Sequence, residues 1–467
     1  MKVLMFGWEF PPHISGGLGT ACLGLTRSLS AHKVKVLFVV PKLYGDETEK
    51  DARLINASAI RITPRKRLPN KSHGVSQPIV ARAVGSEAKE SRHAMSYLEI
   101  PAGLSPYESP RAGVRHEHSL SSWNYSFHAR ADVTHSSNAT EETPPAAEPD
   151  TPSDHYDFTG TYGDNLLEEV KRYGTVGGIV AGKYSFDVIH AHDWMTFLAG
   201  IEAKRRTKKP LVVHVHSTEF DRAGEHINPE MFEIEKTGLH EADRVIAVSN
   251  WTKEILVSRY GVPAERVNVI HNGIGPKEEA GEFAFPDFAS HFVTFLGRVT
   301  YQKGPRFFVD AAQKVLQEFP DAHFIVAGAG DLLPQMIERV AQLNMSSNFH
   351  FTGFLRGSQV DQIWSLTDVY VMPSVSEPFG IAPLEAIQSG VPVILSNQSG
   401  VAEVMPHAIK VDFWDVKALA GAICSVLRYE SLSHVLRQNS KQHVQLLTWD
   451  KAACNVKALY HELAGKR

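Results

Sequence analysis

Short apolar runs alternate with stretches of helical periodicity along most of the chain, the pattern of parallel sheets covered by helices on both faces. In the first half, apolar runs predict strands at 3–7, 34–40, 187–190, 211–216, 245–249 and 267–271, with helices between them, for example at 19–32 and 251–260. The alternation stops at GPKEEAGEFAFPDFASH (275–291) and then restarts, with strands predicted at 292–296, 324–327, 349–351, 369–372 and 393–395. That polar break, bearing glycine and proline, marks a boundary between an N-terminal domain (1–285) and a C-terminal domain (286–445), followed by a last segment, 446–467. Both domains are read as doubly wound α/β units. Two of them facing each other leave a ligand crevice between the carboxyl ends of their sheets.

Residues 45 to about 155 break the pattern. They lack sustained periodicity, are rich in Ser, Pro, His and charge, and end in EETPPAAEPDTPSDHYD. A structureless loop of that length is unusual inside a compact domain, so the stretch is read as an insertion, partly ordered at YLEIPAGLSPYESP and flexible from about 108. Its histidines (His116, His118, His128, His135) have no cysteine companion and no helical spacing, which favours a solvated segment over a metal site.

Composition narrows the classes. With 467 residues, 43% hydrophobic and 21% charged, the chain can build two full cores. A net charge of -4 argues against nucleic acid as a partner. No apolar run approaches the roughly 18 residues of a membrane span, although peripheral contact with a membrane is left open. The N-terminus MKVLMFGWEFPPHISGG reads as a first strand and not a signal peptide, and three scattered cysteines suit a reduced cytoplasmic interior.

Chemistry-bearing residues gather at the predicted strand ends. In PPHISGGLGT, Gly16 and Gly17 open a helix, where backbone N–H groups and the helix dipole favour an anion. The stretch is not a dinucleotide fingerprint: GxGxxG fails and no acidic residue ends the second strand. GGIVAGKY (177–184) imitates a phosphate loop, but Tyr184 stands where Ser or Thr is needed and a helical pattern precedes it. DVIHAHDWMT puts His190, His192 and Asp193 at one strand end, and VVHVHSTEFDR puts His214, His216 and Glu219 at another. No set has zinc spacing on one helix. FLGRVTYQKG places Arg298 and Lys303 after a strand that ends near Gly297; a fork-shaped guanidinium and a mobile ammonium suit a diphosphate. VAGAGD adds Gly328 at a further glycine-rich strand end. In SVSEPFGIAPLEAIQSGVPVI, Glu377 and Glu385 lie in otherwise apolar or small surroundings, which costs free energy unless hydroxyl-rich or charged partners meet them.

GRVTYQKG followed by SEPFGIAPLEAIQSGVPVI resembles the retaining glycosyltransferases of family 4, and HAHDW and GGLGT resemble the related glycogen and starch synthases. The resemblance covers the chain outside the insertion, down to TWDKAACNVKALYHELAGK, which looks like the helix that crosses back to the first domain. It implies the GT-B fold: two Rossmann-like domains across a cleft. It also implies roles. Arg298 and Lys303 would hold a nucleotide diphosphate and Glu385 the ribose hydroxyls. Glu377 would lie beside the donor sugar, with the backbone of Pro378, Phe379 and Gly380 around sugar and phosphate. Gly17 would approach the phosphate from the other domain, and His192 the reacting sugar. Glu9, Asp193, His216 and Glu219 are candidate acceptor or sugar contacts.

The implied reaction is transfer of a hexosyl unit from a nucleoside diphosphate sugar with retention, most simply growth of an α-1,4-glucan from UDP- or ADP-glucose. No cofactor is expected, and with no Asp-x-Asp pair a required metal is not implied. One departure concerns the donor: KTGG, whose lysine contacts the donor phosphate in bacterial glycogen synthases, reads ISGG here, with Ser15 in the lysine's place. A lipid or small-molecule acceptor is the main alternative, and a sugar-nucleotide 2-epimerase is the alternative from another class. Donor base, acceptor and oligomeric state are not legible.

Overall fold

The computed structural model describes residues 1–12, 16–47, 50–62, 155–276 and 291–465. The ISGG serine, the four insertion histidines and the YLEIPAGLSPYESP stretch lie outside these residues. The N-terminal half runs β1 (Lys2–Phe6), α1 (Gly17–Ala31), β2 (Lys35–Val40), β3 (Arg53–Asn56), α2 (Leu166–Lys183), β4 (Val188–His192), α3 (Trp194–Thr207), β5 (Leu211–Val215), α4 (Glu219–Ala223), α5 (Pro229–Glu241), β6 (Arg244–Ala247), α6 (Asn250–Ser258) and β7 (Val267–Val269). The C-terminal half runs β8 (Phe292–Leu296), α7 (Pro305–Val315), β9 (His323–Ala327), α8 (Leu333–Gln342), β10 (Phe349–Gly353), α9 (Ser358–Leu366), β11 (Val369–Met372), α10 (Ala382–Gln388), β12 (Val393–Ser396), β13 (Ile409–Val411), α11 (Val416–Arg428), α12 (Glu430–Val444) and α13 (Trp449–Gly465).

The strands form two parallel sheets, in the orders β3-β2-β1-β4-β5-β6-β7 and β10-β9-β8-β11-β12-β13. Each central strand is apolar on both faces because helices cover both; β4 and β5 are buried at every position. In each sheet the chain winds outward from its first strand and then returns to the strand's other side. The reversal falls between β1 and β4 in one sheet and between β8 and β11 in the other. At such a point the loops leave in opposite directions and open a crevice at the carboxyl ends. The two Rossmann-like domains face each other there, the GT-B arrangement expected from the sequence.

The last helix belongs to the first domain's core. Trp449, Val456, Tyr460 and Leu463 of α13 are buried with α1 and the outer face of β1 and β4. The two chain crossings lie side by side, with Ile274 bridged to Thr448 and the Ile274 N–H bonded to the Leu447 carbonyl at 2.9 Å. The phosphate-loop imitation lies inside α2, where a Cβ on Gly177 would stand 2.6 Å from Ala199 Cβ. Its glycines bring α2 onto α3.

Candidate functional site

A cleft of about 1240 Å³ lies between the two domains, lined by the loops that leave both reversal points. After β1 come Glu9, Gly16 and Gly17; after β4, Asp193. After β8 come Gly297, Arg298 and Lys303, and after β11 Glu377, Gly380 and Glu385. Sequence-distant residues converge because parallel strands end together.

The cleft offers positive charge from both sides. On one wall, α1 begins at Gly17 behind Gly16, with no side-chain cap among the described residues and no acid in its first turn; the Gly19 N–H turns to Glu9, and those of Gly17 and Leu18 face the cleft. A Cβ on Gly16 or Gly17 would meet nothing within 4 Å; the backbone faces open space. On the other wall, Arg298 bonds Gln302 at 3.3 Å and Lys303 pairs with Glu377. Two glycines are required for this wall. Gly304 turns the chain after Lys303 at φ 63°, where a Cβ would lie 2.1 Å from the Pro373 carbonyl. Gly328 (φ 152°) lets β9's end press on β8's end, since a Cβ would be 1.8 Å from the Gly297 oxygen.

The two glutamates differ. Glu377 is buried; it accepts from Lys303 and from Ser374 Oγ at 3.3 Å, and its main chain is fixed by Gln398 and Gly400. Glu385, in the first turn of α10, meets no side-chain or backbone donor among the described residues. Burial, then Asp361 nearby, raises its pKa. A carboxylate held this way gains most from a ligand that brings hydroxyl donors. Pro378 and Phe379 turn away from the cleft: the Pro378 carbonyl accepts from Thr252 at 3.4 Å, and Phe379 is buried beside His271. Gly380 alone of the three lines the cleft.

On the first domain's side, Glu9 is buried with Tyr162 donating to one oxygen, the other having no hydrogen-bond partner of good geometry among the described residues, and the Gly19 N–H of α1 faces the carboxylate. Burial, partly offset by Arg298, raises its pKa to about 7. Asp193, at φ 59° and ψ 168°, accepts the backbone N–H groups of His216 (2.7 Å) and Ser217 (3.2 Å), and burial raises its pKa to about 7. The histidines form a stack. His190 and His192 rings lie 4.3 Å apart, as do His214 and His216, and His192 Nδ1 meets His216 Nε2 at 3.0 Å. His192 is fully buried; His216 lies over it and reaches the cleft. Burial holds all four pKa values down, to about 3 for His190 and His216, so the imidazoles are neutral. Nitrogens of His190, His192 and His214 come within 4.8 Å of one another. Their rings are inclined to one another by 13° to 31°. Glu219 points away from the cleft, accepting from Arg222 Nε at 3.1 Å and the Asn228 N–H at 2.8 Å.

Several lining residues were not singled out from the sequence. Arg222 and Tyr162 line the cleft, and Arg222 is held by Glu219 and by Glu235 at 2.5 Å. Ser376, next to Glu377, donates to the buried Asp221 of the first domain at 2.6 Å and accepts from Trp251 Nε1 at 3.2 Å. The only signal for Asp221 was the Thr218-x-x-Asp221 spacing of a capping box, which the structure forms.

Known proteins share this design. Residues 286–443 match the model of glycosyl transferases group 1, 165–278 that of glycosyltransferase family 4, and 2–85 that of the starch synthase catalytic domain. An uncharacterized glycosyltransferase of Methanocaldococcus jannaschii is 31% identical over 309 residues, 62% of this chain and 79% of the relative. A glycogen synthase of Mycobacterium tuberculosis is 26% identical over 292 residues, 60% of this chain and 69% of the relative. In fold, a sucrose-phosphate synthase from Thermosynechococcus elongatus superimposes with a TM-score of 0.67 over 100% of both chains at 17% identity. The chain belongs to the GT-B glycosyltransferases that act on nucleotide sugars and is related to glycogen- and starch-synthase-like proteins.

Proposed function

We propose that the protein is a retaining hexosyltransferase that moves glucose from UDP- or ADP-glucose onto a growing α-1,4-glucan. The observation that carries this reading is the pairing of an uncapped helix N-terminus on one wall with Arg298 and Lys303 on the other, across a cleft of about 1240 Å³. A diphosphate between them is met by opposite charge from both domains. Glu385 takes the ribose hydroxyls, and Glu377, with the Gly380 backbone, takes the hexose. Lys303 exchanges part of its pairing with Glu377 for the diphosphate, which frees a Glu377 oxygen for a sugar hydroxyl.

Breaking the anomeric C–O bond builds negative charge on the leaving diphosphate and positive charge on the sugar. Arg298, Lys303 and the α1 amides stabilise the first, each by about 2–4 kcal/mol. The acceptor hydroxyl attacks on the face the diphosphate leaves, and a phosphate oxygen takes its proton. His216, as a neutral imidazole with His192 beneath it, hydrogen-bonds the reacting sugar. Glu9 and Asp193 lie on the acceptor side. The starch-synthase match over 2–85 and the glycogen synthase relative support a glucan acceptor. Ser15, where bacterial glycogen synthases carry a lysine on the donor phosphate, counts against ADP-glucose as the donor, and a lipid or small-molecule acceptor is the alternative to a glucan.

The test is nucleotide release from UDP-, ADP- and GDP-sugars, each with and without maltooligosaccharide. Glucan-dependent release with chain lengthening and an α-linked product is expected. Slow acceptor-independent hydrolysis of one donor keeps the transferase and rejects the glucan. Interconversion of donor sugars without transfer establishes the epimerase.

A further inference from the structure

We propose a metal site away from the cleft, at the seam between α1 and the returning helix α13, formed by His32, Asp450 and Cys454 and suited to Zn²⁺. His32 is the residue at the C-terminal end of α1, while Asp450 and Cys454 stand one turn apart on the same face of α13. Donor atoms of the three lie within 4.8 Å of one another. His32 Nε2 is 2.6 Å from Asp450 Oδ1 and 3.4 Å from Cys454 Sγ.

The convergence on one nitrogen is the informative feature. A nucleophile–base–acid triad would put the carboxylate on one ring nitrogen and the thiol on the other. Here both meet Nε2, and Nδ1 is 4.0 Å from the sulfur. A tetrahedral zinc with ordinary bond lengths separates N from O by about 3.4 Å and N from S by about 3.6 Å. The sulfur already stands at that distance. The carboxylate must withdraw by roughly 0.8 Å, which an Asp450 side chain 68% exposed can do. Asp450 and Cys454 are exposed, so water can complete the set, and imidazole, thiolate and carboxylate together suit zinc.

The last turn of α1 carries no basic residue of its own, and its partial negative charge is met by Lys457 from α13. Lys457 Nζ bonds the His32 carbonyl at 2.9 Å and fixes the histidine's main chain from α13. An ion here would pin the first turns of α13 to the first domain, just beyond the Ile274–Thr448 chain crossing, with the length of α1, about 22 Å, between it and the cleft.

Cys454 is the exposed cysteine; Cys22 and Cys424 are buried. The experiment uses the full reduced chain. Thiol-reagent kinetics are followed with and without excess Zn²⁺, and Co²⁺ is titrated as a spectroscopic probe. Expected are slowing of Cys454 modification by at least tenfold with Zn²⁺ and a thiolate-to-cobalt charge-transfer band at one ion per chain. Cys454→Ser should abolish the band and His32→Gln should weaken binding at least tenfold, both leaving nucleotide release within twofold. Equal thiol reactivity with and without Zn²⁺ overturns the site. So does cobalt binding without the band, which would move the ion to histidines outside these residues.

Discussion

Replacing His214 with leucine tests the reading of the histidine stack as four neutral imidazoles. In the folded chain neither His214 nitrogen has a hydrogen-bond partner among the described residues, and burial holds its pKa well below 6.5. In the unfolded chain it titrates at its ordinary value. A depressed histidine pKa means that the unfolded state takes up the proton first, so its contribution to stability is lost as pH falls below about 6.5. Between pH 7 and pH 5 that loss is about 2 kcal/mol for one imidazole, a factor of roughly 25 in the folded-to-unfolded ratio. Wild type alone does not report it cleanly. Glu9 and Asp193, raised to about 7, act in the opposite sense: their folded forms bind protons first and gain stability over much of the same range. The difference between variant and wild type cancels those carboxylates. Urea denaturation of both proteins at pH 7 and pH 5 should show His214→Leu at least as stable at pH 7 and better by a further 2 kcal/mol or so at pH 5. A stability difference that does not change with pH would mean that His214 keeps its proton in the folded state, and the neutral stack would be wrong.

Arg298→Ala and Lys303→Ala should each lower turnover by roughly 10²–10³ with smaller changes in donor affinity, whereas Glu385→Ala should mainly weaken donor binding; steady-state and equilibrium measurements separate the two. Equal effects of all three on affinity, with turnover untouched, would count against the proposed roles. Glu9, raised to about 7, is protonated below that pH and ionised above it, so acceptor KM should fall as pH rises through 7, and Glu9→Gln should flatten the profile. Ser376→Ala removes a donor from the buried Asp221 carboxylate and should disfavour domain closure by about 1–3 kcal/mol, read as a rise in donor KM and a more open form in small-angle scattering.

The central strands of both sheets were legible because each is apolar on both faces and bounded by turn residues. Two edge strands were not. β3 carries only Leu54 and Ile55 as buried apolar residues and sits within the polar stretch read as the start of the insertion. β13 is three residues, Ile-Lys-Val, none of them buried, and is recognised only through its pairing with β12. An edge strand has one neighbour and one covered face at most, so its sequence need not be apolar. Signals for interior strands are therefore strongest where the cleft is built, and weakest at the rim.

The site's residue types could be read from strand ends, but which side chain reaches the cleft depends on register. β4 and β5 align His192 with His214, so His216 lies two residues further along, roughly 6.6 Å toward the crevice. Nothing within either HxH motif says which strand extends further; that follows from the pairing of His192 with His214, 22 positions on. The result is that His192, at the strand end of HAHDW, is covered by a histidine from the next strand. The same limit hid Ser376 and Asp221, a serine and an aspartate 155 positions apart whose bond exists only once both domains are docked. Composition at a strand end marks a site's chemistry, while contact with the ligand is decided by the register of the strand beside it and the domain across from it.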